Sequence, residues 1–171
     1  VGLLQLSRIG RIEGPPQTFE VAALIKETLI SLSGLLRKKE INVRVDDIPH
    51  QLYGDPVRLG QIWQNLIENA GKYLGDQPHP QIDIGVEHKN GVPSFFVRDN
   101  GIGIDQHHAQ RVFALFSQLD PHSPGCGIGL PMVKKIVELY QGRVWFESGG
   151  KNKGSCFYFT LPGAIKSHQE R

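Results

Sequence analysis

Apolar residues along this chain fall into segments whose spacing changes from helical to alternating and back. Leu3, Leu4, Leu6, Ile9 and Ile12 share one broad face, which predicts the last turns of a helix before Gly14, Pro15 and Pro16 break it. From Thr18, the expected N-cap, Val21, Leu24, Ile25, Leu32, Leu35 and Leu36 recur at helical intervals up to Arg37-Lys38-Lys39, read as a solvated helix end. Ile41, Val43 and Val45 alternate as a half-buried strand does, and residues 46–54 read as a loop. Pro56 suits a first helical turn, and behind it Leu59, Ile62, Trp63, Leu66, Ile67, Ala70 and Leu74 form a stripe that faces a core. Strands over 81–88 and 92–98, joined by Lys89-Asn90-Gly91, predict an antiparallel hairpin. A short helix over 109–115 and a loop over 117–124 follow. A further helix then turns Met132, Val133, Ile136, Val137 and Tyr140 inward and stops with Gly142 at C′. Strands over 143–148 and 155–161 flank a Gly149-Gly150 turn, and a polar tail closes the chain.

Hairpins in place of regular strand-helix alternation argue against a doubly wound parallel fold. The expected class is α+β: a two-layer α/β sandwich with a mixed, mostly antiparallel sheet covered on one face by helices. Residues 1–14 are expected to be a helix end and linker, residues 15–163 the domain, and residues 164–171 a tail.

At 171 residues the chain is long enough for one core, and 39% hydrophobic against 21% charged residues is a globular composition. A net charge of +2 lacks the basic surface of a nucleic-acid binder. Cys126 and Cys156 make neither a disulfide framework nor a metal-ligand spacing, which points to a reducing, cytoplasmic setting, and no apolar run is long enough to span a bilayer. Glycine changes the picture, because several of the 20 gather in two short clusters.

Projected at 100° per residue, Asn65, Asn69 and Lys72 lie close together beside the apolar stripe, with Tyr73 near them. Amide oxygens suit hard cations, an ammonium suits phosphate and a phenol can stack on a base, although a solvated helix edge has the same composition. Asp99-Asn100-Gly101-Ile102-Gly103-Ile104 leaves a carboxylate at a strand end, ready to accept from an exocyclic amine, and reads equally as an ordinary turn. Gly125, Gly127 and Gly129 precede a helix, where free amides favour anions, yet the spacing matches neither a P-loop nor a dinucleotide fingerprint.

The ordered set NLIENAGKY, DNGIGID, a Phe-bearing helix and GCGIGLPMVKKIVE, within residues 18–161, resembles the ATP-binding catalytic domain of sensor histidine kinases. These belong to the GHKL superfamily, with gyrase, the Hsp90 chaperones and MutL. The resemblance implies a Bergerat-type fold that binds ATP with Mg²⁺ and donates the γ-phosphate to a histidine of a dimerisation domain absent from this chain. It implies Mg²⁺ on Asn69, with Asn65 shaping the same catalytic site, Lys72 toward phosphate and Tyr73 toward adenine. Asp99 then accepts the adenine amino group in a pocket shaped by Gly101, Gly103 and Ile104. Phe113 and Phe116 match the phenylalanine box, residues 117–124 the ATP lid, and Gly125, Gly127, Ile128, Gly129 and Leu130 the box that wraps the phosphates.

Asn65 stands where gyrase-type ATPases carry a water-activating Glu, which favours transfer to histidine over hydrolysis. Glu68 points off the Asn65 to Asn69 line, and His107, His108 and His122 read as surface residues. Three features depart from the family pattern: no Lys or Arg lies between Phe116 and Gly125, Cys126 replaces a usual Thr, and Pro131 a usual Ala. The implied partners are the protein's own dimerisation and phosphoacceptor domain and a response regulator receiver domain, with no nucleic acid and no membrane contact. A non-kinase GHKL ATPase and a degenerate ATP-sensing or interaction module are the alternatives.

Overall fold

Asp55 starts the central helix of the molecule by accepting hydrogen bonds from the Val57 and Arg58 amides at 3.0 and 3.3 Å, with Pro56 in the first turn, where no amide is missed. The computed structural model describes residues 14–114 and 127–165. The expected helix end over 1–12, Phe116, the loop over 117–124, Gly125, Cys126 and the tail from 166 lie outside the described residues.

The chain runs β1 (Gln17–Glu20), α1 (Val21–Ser31), α2 (Ser33–Lys38), β2 (Asn42–Val45), β3 (Gln51–Gly54) and α3 (Pro56–Lys72). It continues with β4 (Gln81–Lys89), β5 (Val92–Asp99), a 3-10 turn (Gln106–Arg111), α4 (Gly129–Leu139), β6 (Val144–Glu147), β7 (Ser155–Phe159) and a last 3-10 turn (Pro162–Ala164). Five strands form one sheet in the order β2-β4-β5-β7-β6, parallel between β2 and β4 and antiparallel elsewhere. The α+β expectation of a mixed, mostly antiparallel sheet therefore holds.

One sheet face carries Ile82, Ile84, Phe95, Val97, Phe157 and Phe159 into a single core with the stripes of α3 and α4. Trp63 sits at its centre, edge-on to Phe95 and Phe159 with ring centroids at 5.6 and 5.0 Å. The opposite face holds a small cluster of Phe96, Cys156 and Tyr158 with Trp145 against it. Lys89 and Arg98 lie over Tyr158 and Phe96 at 3.8 and 4.8 Å from the ring centroids, and each pairs with a glutamate, Glu147 and Glu87.

The β4–β5 hairpin closes as predicted: Asn90 and Gly91 have φ of 52° and 78°, the pair of positive values that a two-residue turn matched to strand twist requires. Five expectations need correction. Thr18 is no N-cap but a strand residue opposite Tyr53, because β1 and β3 pair as a separate two-stranded sheet and residues 51–54 are therefore not loop. The helix expected over 18–36 begins at Val21 and breaks at Leu32. The helix expected over 109–115 is instead the 3-10 turn at Gln106–Arg111, begun by the Asp105 carboxylate accepting from the His107 amide. At the end of α4 the left-handed residue is Gln141, with φ of 54°, and the Gly142 amide reaches back to the Val137 carbonyl at 2.9 Å.

Candidate functional site

Three segments meet above the core at one end of the sheet: the last turns of α3, the glycine loop after β5, and the start of β7. They form a narrow cleft lined by Asn69, Ala70 and Tyr73 from α3, Asp99 and Ile102 to Ile104, and Ser155 and Phe157 from β7, with Val112 and Leu130 completing the wall. The helix places Asn69 and Tyr73 here because they lie four residues apart, one turn from each other.

Asp99 ends β5 and is only 7% exposed. One carboxylate oxygen accepts the Gly101 amide at 2.9 Å and the other accepts the Ser155 hydroxyl at 2.7 Å. Burial pushes the carboxyl up from its ordinary value, while the Ser155 and Gly101 hydrogen bonds oppose that rise. The result is one oriented acceptor in a slot walled by Ile102, Ile104, Val112, Leu130 and Phe157. Such a slot suits a flat apolar ring bearing an amino group.

The loop is held against its neighbours by backbone. The Ile102 amide donates to the Tyr73 carbonyl at 2.9 Å, and a side chain at Gly101 would strike that same carbonyl. Gly103 has φ of 70° and lies against the Gly150 carbonyl, so a side chain there is excluded on both counts.

The first turn of α4 also meets the cleft. Its N-cap, Ile128, is buried and offers no side-chain cap, so among the described residues no N-cap side chain competes with an anion for the first amides of α4. Leu130, in the same turn, lines the cleft, and Gly127 before it has φ of 66°.

Six residues singled out from the sequence thus line one cleft: Asn69, Tyr73, Asp99, Gly103, Ile104 and Leu130. Asn65 does not line it. Its amide donates to the Gln61 carbonyl at 2.7 Å and approaches the Met132 sulfur at 3.8 Å, and its oxygen lies beside Gly129, so it joins α3 to the start of α4. Lys72 is half-buried in the last turn of α3, outside the lining. Phe113 stands behind the wall, edge-on to Phe157 with ring centroids at 6.1 Å. Glu68, half-buried, accepts from Gln64 at 3.4 Å, away from the cleft.

Sequence reasoning missed Ala70, Ile102, Val112, Ser155 and Phe157. Ser155 had a signal only in the pairing of β5 with β7, where it is the register partner of Asp99. Among the described residues no group of three or more His, Cys, Asp or Glu side chains is arranged to hold a metal, and no helix is long and apolar enough to cross a membrane.

Residues 54–165 match the family described as histidine kinase-, DNA gyrase B-, and HSP90-like ATPase. The chain is 41% identical over 159 residues to the methanogenesis regulatory histidine kinase FilI of Methanothrix harundinacea, a match covering 93% of this chain and 18% of that protein. It spans about a fifth of the length of such curated relatives. The solved catalytic domain of histidine kinase ThkA superposes with a TM-score of 0.72 at 25% identity, covering 88% of this chain and 99% of that one. Full-length ShkA, solved in complex with AMPPNP, superposes with a TM-score of 0.80 at 25% identity, covering 99% of this chain and 36% of that one.

Proposed function

Because this chain belongs to the histidine kinase-, DNA gyrase B- and HSP90-like ATPase family, we propose that it is the ATP-binding catalytic domain of a sensor histidine kinase, which presents the γ-phosphate of Mg-ATP to a histidine on a separate dimerisation domain. The observation that carries this reading is the buried Asp99 carboxylate, oriented in an apolar cleft that the first turn of α4 also lines.

In this reading Asp99 accepts the adenine amino group, while Ile102, Ile104 and Phe157 hold the ring and Tyr73 flanks it. The amides at Gly127 and Gly129 and the start of α4 receive the phosphates, with Lys72 supplying positive charge. Asn69 fits a Mg²⁺ site, since its side chain lines the cleft and an amide oxygen is a hard donor of the kind Mg²⁺ takes alongside phosphates and water. Bound there, the ion would neutralise charge on the triphosphate. The chain's own contribution is to hold the nucleotide in line and exclude water from the ring, because phosphoryl transfer depends mainly on positioning and charge stabilisation.

Asn65 supports transfer over hydrolysis, as an amide bonded to the Gln61 carbonyl cannot act as a general base toward water. The acceptor histidine, a receiver domain as next partner and a cytoplasmic setting belong to the same proposal. Its test is label from γ-labelled ATP in a longer protein containing this chain. Label on a histidine that disappears with Asn69→Ala supports the reading, and transfer that survives Asn69→Ala contradicts it.

A further inference from the structure

The loop between β6 and β7 contributes no residue to the lining of the cleft, yet the adenine side of the cleft rests on it. The Asn152 amide donates to the Ile102 carbonyl at 2.7 Å and the Gly154 amide to the Gly101 carbonyl at 3.1 Å. Both bonds hold the glycine loop that carries Ile102, Gly103 and Ile104 into the cleft. Neither involves a side chain, so they depend on how the β6–β7 loop itself is folded.

That fold converges on one hydroxyl. Ser148, just past the end of β6, donates to the Gly154 carbonyl at 2.7 Å. It accepts from the Ile104 amide at 3.0 Å and from the Gly150 amide at 3.3 Å. A serine hydroxyl has one hydrogen to give and two lone pairs to receive, and here all three are in use. Two of these bonds shape the β6–β7 loop and the third reaches across to the glycine loop. Without the hydroxyl the Ile104 amide loses its acceptor, and the Gly150 to Gly154 turn loses the link that points Asn152 and Gly154 at Ile102 and Gly101.

We propose that Ser148 is a positioning residue for adenine recognition: through its hydroxyl the β6–β7 loop fixes the Gly101–Ile104 loop, and with it the slot beside Asp99, without touching the nucleotide. This inference rests on the nucleotide-binding reading given above. A fixed slot binds tightly because little ordering remains to be done when the ring enters. The effect therefore falls on the base and not on the phosphates.

The test compares Ser148→Thr with Ser148→Val, which differ by a hydroxyl against a methyl, alongside Ser148→Ala. ATP affinity is measured by displacement of a fluorescent adenine nucleotide, and amide hydrogen exchange is followed at Ile102, Ile104 and Asn152. Ser148→Ala and Ser148→Val are expected to weaken ATP by about ten-fold, the scale of one or two lost hydrogen bonds, and to speed exchange at those three amides while core amides stay protected. Ser148→Thr is expected to restore both. GTP, which offers an oxygen where adenine offers an amino group, should lose less than ATP in the hydroxyl-free variants. Unchanged ATP affinity in Ser148→Val overturns the inference, as does an equal loss in Ser148→Thr, and so does global unfolding of both hydroxyl-free variants, which would make Ser148 a structural residue only. If the unsubstituted chain binds no ATP, the nucleotide reading itself fails, and exchange at Ile102, Ile104 and Asn152 still reports whether Ser148 clamps the loop.

Discussion

The Ser155 hydroxyl donates to the Asp99 carboxylate at 2.7 Å, and the two residues face each other as register partners at the ends of β7 and β5. A carboxylate held through both oxygens cannot turn freely, so its remaining acceptor capacity keeps a set orientation. That orientation is set by strand pairing, so the sheet itself orients the Asp99 carboxylate in the cleft.

Asp99→Asn replaces one acceptor oxygen by an NH₂ donor, which meets either the Gly101 amide, the Ser155 hydroxyl or the incoming amino group. A hydrogen bond involving a charged partner contributes about 1.5–3 kcal/mol. Adenine nucleotides should therefore bind roughly 10- to 100-fold more weakly to this variant, as read by calorimetry, with the melting temperature of the free protein lowered little or even raised because a buried charge is gone.

Asp99 also sets a pH dependence. Its folded pKa lies above the ordinary 3.8 because of burial, so between the two values the folded protein binds a proton that the unfolded chain does not. In the free protein, ionisation of Asp99 thus costs stability as pH rises through that window. Binding runs the other way, since only the carboxylate accepts from an amino group without also presenting a proton. ATP affinity should fall on acidification, beginning above the usual carboxylate range, and Asp99→Asn should flatten that limb of the profile.

His50 gives a second pH effect at the other end of the sheet. Its ring lies 5.5 Å from that of His88 and edge-on to Phe95, and its buried Nδ1 has no hydrogen-bond partner among the described residues. Burial first, and the His88 charge second, lower its pKa below 6.5. The unfolded chain then binds a proton that the folded one refuses, so stability is lost as pH falls below about 6.5. Melting temperatures from pH 7.5 to 5 should drop, and His88→Ala should make the drop shallower by removing the repelling partner.

Asp55 governs the helix that carries Asn69 and Tyr73. Asp55→Ala removes the acceptor for the Val57 and Arg58 amides and should destabilise the protein by about 1 kcal/mol in denaturant unfolding. Asp55→Asn retains a capping oxygen and should cost less.

Much of this site was legible in the sequence because its signals are local. The stripe from Leu59 to Leu74 declares α3 and fixes which side Asn69 and Tyr73 occupy, and the glycines after Asp99 declare a loop that backbone must approach. The β4–β5 hairpin was legible for the same reason, since Asn90-Gly91 accepts two positive φ values. What escaped was decided by distant pairing. Thr18 has a capping side chain, but its backbone is taken by Tyr53, 35 positions away, in a two-stranded sheet too short to show alternation. Ser155 and Ser148 gain their roles only when β7 pairs with β5 and the β6–β7 loop folds onto Gly101 and Ile104. At the end of α4 the glycine sits one position beyond the left-handed residue, which Gln141 occupies instead.

The most direct measurement is calorimetric titration of this chain with AMPPNP, with and without Mg²⁺, repeated for Asn69→Ala. One saturable site per chain is expected, tightened by Mg²⁺ in the unsubstituted protein and indifferent to Mg²⁺ in the variant. Absence of nucleotide binding, or Mg²⁺ enhancement that survives Asn69→Ala, would contradict the account.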